Sequence, residues 1–155
     1  MADSVHKRLV AKVFEILQGI TKTNGFRTDI GLKGFNWKST NWDENDVPGF
    51  DLRDPSTTYE DQLSGRRDHT ATLEITCALN SGSTSASMMH DVRDDVITAL
   101  YTQSQFTQAE FPGFTALVLK EESKAIMQED RVVCGVKLRY EMRFRTTINN
   151  PTAQR

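Results

Sequence analysis

The stretch Val132–Phe144, VVCGVKLRYEMRF, decides the fold. Apolar side chains occupy every second position along it, and charged side chains fill the positions between them from Lys137 onward. A period of two is the signature of a β-strand that buries one face, and no helix could present this pattern to one core. The apolar row comprises Val132, Cys134, Val136, Leu138, Tyr140, Met142 and Phe144.

Residues 70–79 repeat the alternation, with Ala71, Leu73, Ile75, Cys77 and Leu79 on one face. They predict a half-buried antiparallel strand. The two cysteines, at positions 77 and 134, each fall on the apolar side of a strand, where a free cysteine acts as a small buried hydrophobe. No C-x-x-C pair occurs and the three histidines are scattered, so the sequence supports neither a zinc site nor a redox pair.

Two segments show the helical spacing of three and four. The first runs from Val5 to about Thr21, with Asp3 or Ser4 as its cap and Asn24-Gly25 as its stop. The second follows a cap at Thr84 or Ser85. Its apolar face comprises Met89, Val92, Val96, Ala99 and Leu100, and its predicted polar side carries Asp91, Arg93, Asp94 and Asp95.

The remaining segments are predicted from shorter signals. A first strand is expected over residues 26–37, followed by a long acidic loop over 38–55 that holds at most a short strand at 50–53. Residues 57–63 could form another strand before a Ser64-Gly65 turn. Two more strands are expected at 114–119 and 126–130, with a turn at Glu129-Asp130, and the polar end of the chain is expected to fray.

Together these elements predict a fold that mixes helices and strands (α/β in the broad sense, of the α+β class). Its mainly antiparallel or mixed sheet carries two amphipathic helices packed on one face. The 155 residues suit one domain over residues 1–147, with a flexible C-terminal tail over 148–155. With 19 basic and 21 acidic residues, the formal charge of -2 gives no bulk sign of nucleic-acid or anionic-membrane binding. The sequence lacks an apolar run long enough to span a bilayer, so a cytosolic location is expected unless an assembly carries the protein out.

The acidic loop over residues 38–55 is a candidate for a metal site because it is rich in carboxylates. Its spacing fails the calcium-loop pattern, because Val47 stands where an oxygen ligand is needed. A magnesium nuclease would use Glu122 and Lys124 with an acid from Asp51 or Asp54. No nucleophile elbow or nucleotide-binding glycine loop is present in the sequence. We therefore expect no enzyme activity, no catalytic residues, no metal and no cofactor, with the nuclease kept as a lesser alternative.

Charge suggests a different kind of site. The basic row, Lys137, Arg139, Arg143 and Arg145, lies on one face of the last predicted strand. It could pair with acids such as Glu74 on a neighbouring strand, or it could line a surface shared with another subunit or a polyanion. Because the acidic loop has the opposite sign, the two suit head-to-tail contacts in a ring. The acidic candidates for such an interface are Asp43, Glu44, Asp46 and Asp51.

The order of these pieces resembles the tail terminator proteins of long-tailed bacteriophages, the family that includes the minor tail protein U of phage lambda. The resemblance covers residues 5 to about 147 and lies in the order and spacing of elements. The matching pieces are the opening helix, Phe35-Asn36-Trp37, residues 46–52 (DVPGFDL), residues 68–75 (DHTATLEI), the helix over 89–100, and a closing strand with Tyr140 and Phe144.

The resemblance implies a structural virion protein at the tail-neck region, present in the host cytoplasm during assembly. A homohexameric ring would cap the tail tube, stop its polymerisation and offer a surface for the head-tail connector or neck protein. A sheath protein is a further partner that it allows, and DNA would pass through the lumen without specific binding. Another connector component or a tail completion protein could share the same order of elements.

Overall fold

Two long β-hairpins form the centre of the fold. The computed structural model describes residues 3–82, 84–101, 105–128, 133–148 and 150–154. Its elements in chain order are α1 (Val5–Gln18), two 3₁₀ turns (Lys22–Asn24 and Ile30–Leu32), β1 (Gly34–Asn36), β2 (Gly49–Asp61), β3 (Arg66–Asn80), α2 (Ser85–Tyr101), β4 (Phe114–Gln128), β5 (Val133–Thr147) and β6 (Asn150–Gln154).

The sheet is mixed, with strand order β1-β2-β3-β5-β4 and β6 paired to the end of β5. β1 runs parallel to β2, and the other strand pairs are antiparallel. Both helices lie on one face, so the predicted α+β fold is confirmed. The core between helices and sheet includes α1 residues such as Leu9 and Val13, α2 residues such as Val96, and the apolar rows of β3 and β5.

The strand predicted over residues 132–144 is present as β5. Its even-numbered residues from Cys134 to Phe144 are buried, while Lys137, Arg139, Glu141 and Arg143 lie on the opposite face and are partly or fully exposed. Val132 lies outside the described residues. Cys77 and Cys134 are buried free cysteines, as predicted, and desolvation raises the pKa of the Cys77 thiol.

The predicted strand over residues 26–37 is wrong. Only Gly34–Asn36 forms a strand, and the preceding residues include two short turns. The cause lies on α2, where Asp95 is 5% exposed and accepts hydrogen bonds from the backbone N–H groups of Arg27 (3.2 Å) and Thr28 (2.8 Å). These N–H groups are therefore not free for a strand ladder. Asp95 thus belongs to the interior and not to a polar helix side.

The predicted loop over 38–55 is too long, because β2 already begins at Gly49 and continues to Asp61. The short strand at 50–53 and the possible strand at 57–63 are one element. Its register with β3 shifts between Arg53 and Ser56. A bulge of this kind lets a strand pass through Pro55, which has no N–H to donate.

β4 likewise joins the two strands predicted at 114–119 and 126–130. It pairs with β5 from Phe114 to Gln128 with three register shifts. The polar run at 120–124 hid this continuity, because it lies on an edge strand where side chains need not be apolar. The predicted Glu129-Asp130 turn lies outside the described residues. At the chain end, β6 pairs with Thr146 and Thr147 of β5, and the flexibility expected of residues 148–155 stays a prediction.

Candidate interaction surface

The sheet face opposite the helices, which we call the charged face, carries the basic row on β5. Each cation of the row has a carboxylate partner within the chain. Lys137 Nζ lies 3.4 Å from Glu74, Arg139 Nε 3.2 Å from Glu121, Arg143 Nη2 2.9 Å from Glu141, and Arg145 Nε 2.5 Å from Asp68. The pairing of this row with acids of its own chain, which was one of the two sequence interpretations, is therefore present.

These pairs lower the pKa values of two of the carboxylates, and the cations stay exposed to solvent. The hydrogen bond from Arg145 lowers the pKa of Asp68, and the bond from Arg143 lowers that of Glu141. The four cationic side chains nevertheless remain 38–52% exposed. Exposed pairs of this kind contribute only about 0–1 kcal/mol to stability. The row therefore remains available to a second protein at little cost to the fold.

Residues 37–48, which we call the covering loop, fold back over one end of the charged face. Trp42 and Val47 pack on Ala78 and Val133 in a second, smaller apolar cluster. Phe35 meets the Trp42 ring edge-on at a centroid distance of 5.6 Å. Sequence reasoning missed this cluster, although an apolar Trp42 and Val47 within a polar stretch were its visible signal.

Two of the four acidic candidates fix the covering loop and do not face outward. Asp51, which is 3% exposed, accepts hydrogen bonds from the Lys38 backbone N–H (2.8 Å) and from Arg53 Nε (2.6 Å). Asp46 pairs with Lys38 Nζ at 2.9 Å, and the hydrogen bond from Lys38 lowers the pKa of Asp46. Asp43 and Glu44 are exposed at the outer side of the loop.

A groove of about 330 Å³ lies between the covering loop and the charged face. It brings Lys137 of the basic row next to Asp51 of the acidic candidates, while Arg143 and Arg145 do not line it. Its walls are apolar as well as charged. The lining residues are Lys38, Thr40, Trp42, Asp51, Arg53, Glu74, Thr76, Ser123, Ala125, Gly135, Val136 and Lys137.

The nuclease residues are not brought together. Glu122 accepts a hydrogen bond from Arg93 of α2 at 2.5 Å, and Lys124 Nζ lies 3.4 Å from His90 of the same helix. Asp51 lies on the opposite face, with β3 and β5 between its strand and β4. Asp54 is held by His6 (2.9 Å) and by the Trp37 indole N–H (3.1 Å).

The described residues include neither a metal-binding cluster nor a helix that could cross a membrane. Within them, no group of three or more histidine, cysteine, aspartate or glutamate side chains could hold a metal ion. In the same part of the chain, no helix has the length and apolar character needed to cross a membrane.

Comparison with known proteins gives a likeness of fold. No protein-family model matches the sequence, and no curated protein matches it. Among solved structures, the chain is similar to a chain of the "Virion of native gene transfer agent (GTA) particle", with a TM-score of 0.56 and 13% sequence identity. The similarity covers 88% of this chain and 94% of that chain. At this level of identity it shows that the two chains share a fold.

Proposed function

We propose that this protein is a structural component of a phage-like virion. The observation that carries the proposal is the shared fold with a chain of a gene transfer agent virion, because it extends over nearly the whole of both chains. The order of elements that resembles the tail terminator family is an independent line of support, since it comes from the sequence alone. A shared fold by itself does not fix function, so the two lines are needed together.

Within such a virion, we propose the role of tail terminator. Six copies form a ring on the last ring of the tail tube, stop its polymerisation and present a surface to the head-tail connector or neck protein. DNA passes through the lumen without specific binding. A strongly basic lining would hold DNA by releasing counterions, so we assign the basic row to contacts between subunits and not to the lumen.

The placement of charges suits contacts between copies. The covering loop, with exposed Asp43 and Glu44, packs near Val133 and Ala78, whereas Arg145 pairs with Asp68 at the other end of β5. At about 3.3 Å per residue, the ten steps from Gly135 to Arg145 span about 33 Å. The exposed acids of the covering loop and Arg145 therefore lie at distant places on one copy, and a head-to-tail contact between copies would bring them together.

Electron microscopy with native tail tubes tests the role. The purified protein, alone or mixed with tubes, is expected to form rings of about six subunits and to limit tube length. The matched control is the same tube preparation without the protein, which should continue to elongate. A protein that stays monomeric and neither caps tubes nor limits their length contradicts the proposal.

A second role in the same assembly is supported by the same similarity. The related structure is described as a whole particle, so its fold suits another neck component or a tail completion protein as well as a terminator. Stoichiometry and docking site separate these roles. Rings found on the head connector, and absent from isolated tubes, would favour the neck role over the terminator.

A further inference from the structure

Arg8 on α1 is a cation without a partner in a partly buried place. Its Nε atom is buried and has no hydrogen-bond acceptor, and its guanidinium forms no ion pair with any described residue. The side chains of Lys22, Lys33 and Arg66 also lack an ion pair among the described residues, but these residues are exposed to water. Leaving a buried charged donor without an acceptor is unfavourable, so contacts within the described part of the chain do not account for the position of this guanidinium.

Arg8 lines a pocket of about 290 Å³ between α1 and the segment before β4. Ala11 and Phe111 provide apolar wall. The neighbouring cations are already satisfied within α1, since Lys7 pairs with Asp3 at 2.8 Å and Lys12 with Glu15 at 3.5 Å. The pocket thus offers one unpaired guanidinium beside apolar surface.

The chemistry of the lining selects the ligand. A guanidinium holds a planar carboxylate through two parallel N–H bonds. Asp3, Glu15 and Glu110 also line the pocket, and together they disfavour a polyanion such as nucleic acid. Asp3 and Glu15 are already balanced by Lys7 and Lys12. The apolar wall suits the methylene groups of a protein side chain.

We infer that this pocket binds the carboxylate of an aspartate or glutamate side chain from another protein chain, with Arg8 as its anchor. The site lies on α1, on the opposite side of the sheet from the charged face. It is thus separate from the contacts suggested above for the ring, and it can be tested on the protein without any assembly.

The experiment uses nuclear magnetic resonance of the full chain with ¹⁵N-labelled arginine. The probe is the blocked peptide acetyl-Ala-Glu-Ala-amide, and its matched control is acetyl-Ala-Gln-Ala-amide. We expect a saturable shift of the Arg8 Nε–H signal with the glutamate peptide and binding at least tenfold weaker with the glutamine peptide. The exposed Arg66 gives the reference signal, which should show no saturation.

Three variants or probes complete the test. In uniformly ¹⁵N-labelled protein, the backbone amides of Ala11 and Phe111 should shift saturably with the glutamate peptide. These shifts should disappear in Arg8→Lys, which keeps the charge but loses the planar fork. Equal binding of both peptides, or an Arg8 signal that follows Arg66, overturns the inference. Saturation by inorganic phosphate at a lower concentration than by the glutamate peptide overturns the choice of carboxylate. Binding that occurs only in Glu110→Gln shows that Glu110 already occupies Arg8, and this also overturns it.

Discussion

The imidazole of His69 stacks on the ring of Phe144, with centroids 4.4 Å apart and an interplanar angle of 15°. His69 belongs to β3 and Phe144 to β5, and the two residues are direct cross-strand partners. His69 Nε2 also lies 2.7 Å from Thr146 Oγ1. The first turn of α1 covers this stack, because the His6 ring meets the Phe144 ring edge-on at a centroid distance of 5.7 Å.

This arrangement predicts a loss of stability in mild acid. Desolvation, followed by the positive charge of Arg67, lowers the pKa of His69 from its ordinary value of 6.5. The unfolded chain therefore binds the proton more readily than the folded one. The contribution is fully present above pH 6.5 and is lost as the pH falls from 6.5 through the folded pKa.

Urea unfolding at pH 7.5 and pH 5.5 measures this effect, at values above the ordinary titration range of the carboxylates. Wild-type protein should lose free energy of unfolding between the two conditions. His69→Gln can still bond Thr146, and its loss should be smaller. The control His90→Gln changes an exposed histidine and should behave as wild type. An equal loss in wild type and His69→Gln would contradict the assignment.

A second prediction compares two leucines of the same hairpin. Leu73 is fully buried in the core, and Leu63 at the turn is fully exposed. Leu73→Ala should lower the free energy of unfolding by about 2–5 kcal/mol, because it leaves a cavity. Leu63→Ala should change it by less than about 0.5 kcal/mol. Chemical denaturation measures both, and similar losses in the two variants would show that Leu73 does not face the core.

Sequence reasoning succeeded where one local pattern carried the information. The alternation in β5 and in residues 70–79 predicted both strands and their buried faces, and the spacing of three and four predicted both helices. Burial of one face fixes such patterns directly. The basic row was also placed correctly on the face opposite the core, because the period of two assigns every residue to a side.

It failed where distant contacts decide the local structure. Arg27 and Thr28 carry no sign in their own sequence that Asp95 will bind their N–H groups. Pro55 suggested the end of a loop, and only the bulge opposite β3 shows how β2 continues through it. Asp46 and Asp51 are interface candidates by charge, and the sequence alone does not show that they pair with Lys38 and Arg53.

A third prediction concerns the covering loop. Asp51→Ala removes the acceptor of the Lys38 N–H and of Arg53 Nε, and bonds to a charged group of this kind contribute about 1.5–3 kcal/mol each. The loop should loosen and expose Trp42. The chain has two tryptophans, so in a Trp37→Phe background Trp42 is the only one left. Acrylamide quenching of its fluorescence should rise when Asp51 is replaced.

Glu44→Ala in the same background is the matched control. Glu44 is exposed and forms no hydrogen bond or ion pair with the described residues, so quenching should remain at the level of the background protein. Unchanged quenching in Asp51→Ala would mean that the apolar cluster of Trp42 and Val47 alone holds the loop.

The last prediction separates the two interpretations of the basic row. Arg139 pairs with Glu121 across β5 and β4 at 3.2 Å, and both side chains are substantially exposed. Arg139→Glu should therefore cost about 1–2 kcal/mol of stability, from the lost pair and from repulsion by Glu121 and Glu74, its neighbours across β4 and β3. The circular dichroism of the monomer should stay unchanged. If the cation contacts a neighbouring subunit, the same variant should weaken ring formation at least tenfold, as measured by sedimentation velocity and electron microscopy.

The exchanged double variant Glu121→Arg/Arg139→Glu supplies the control. It restores an opposite-charge pair within the chain, but the cation now lies at position 121 and the anion at position 139. Each charge is displaced by one strand spacing, about 4.8 Å. A neighbouring subunit that reads the position of Arg139 should still assemble poorly with it. Full recovery of ring formation would show that Arg139 acts only through its partner on β4, and the basic row would then have no direct part in the interface.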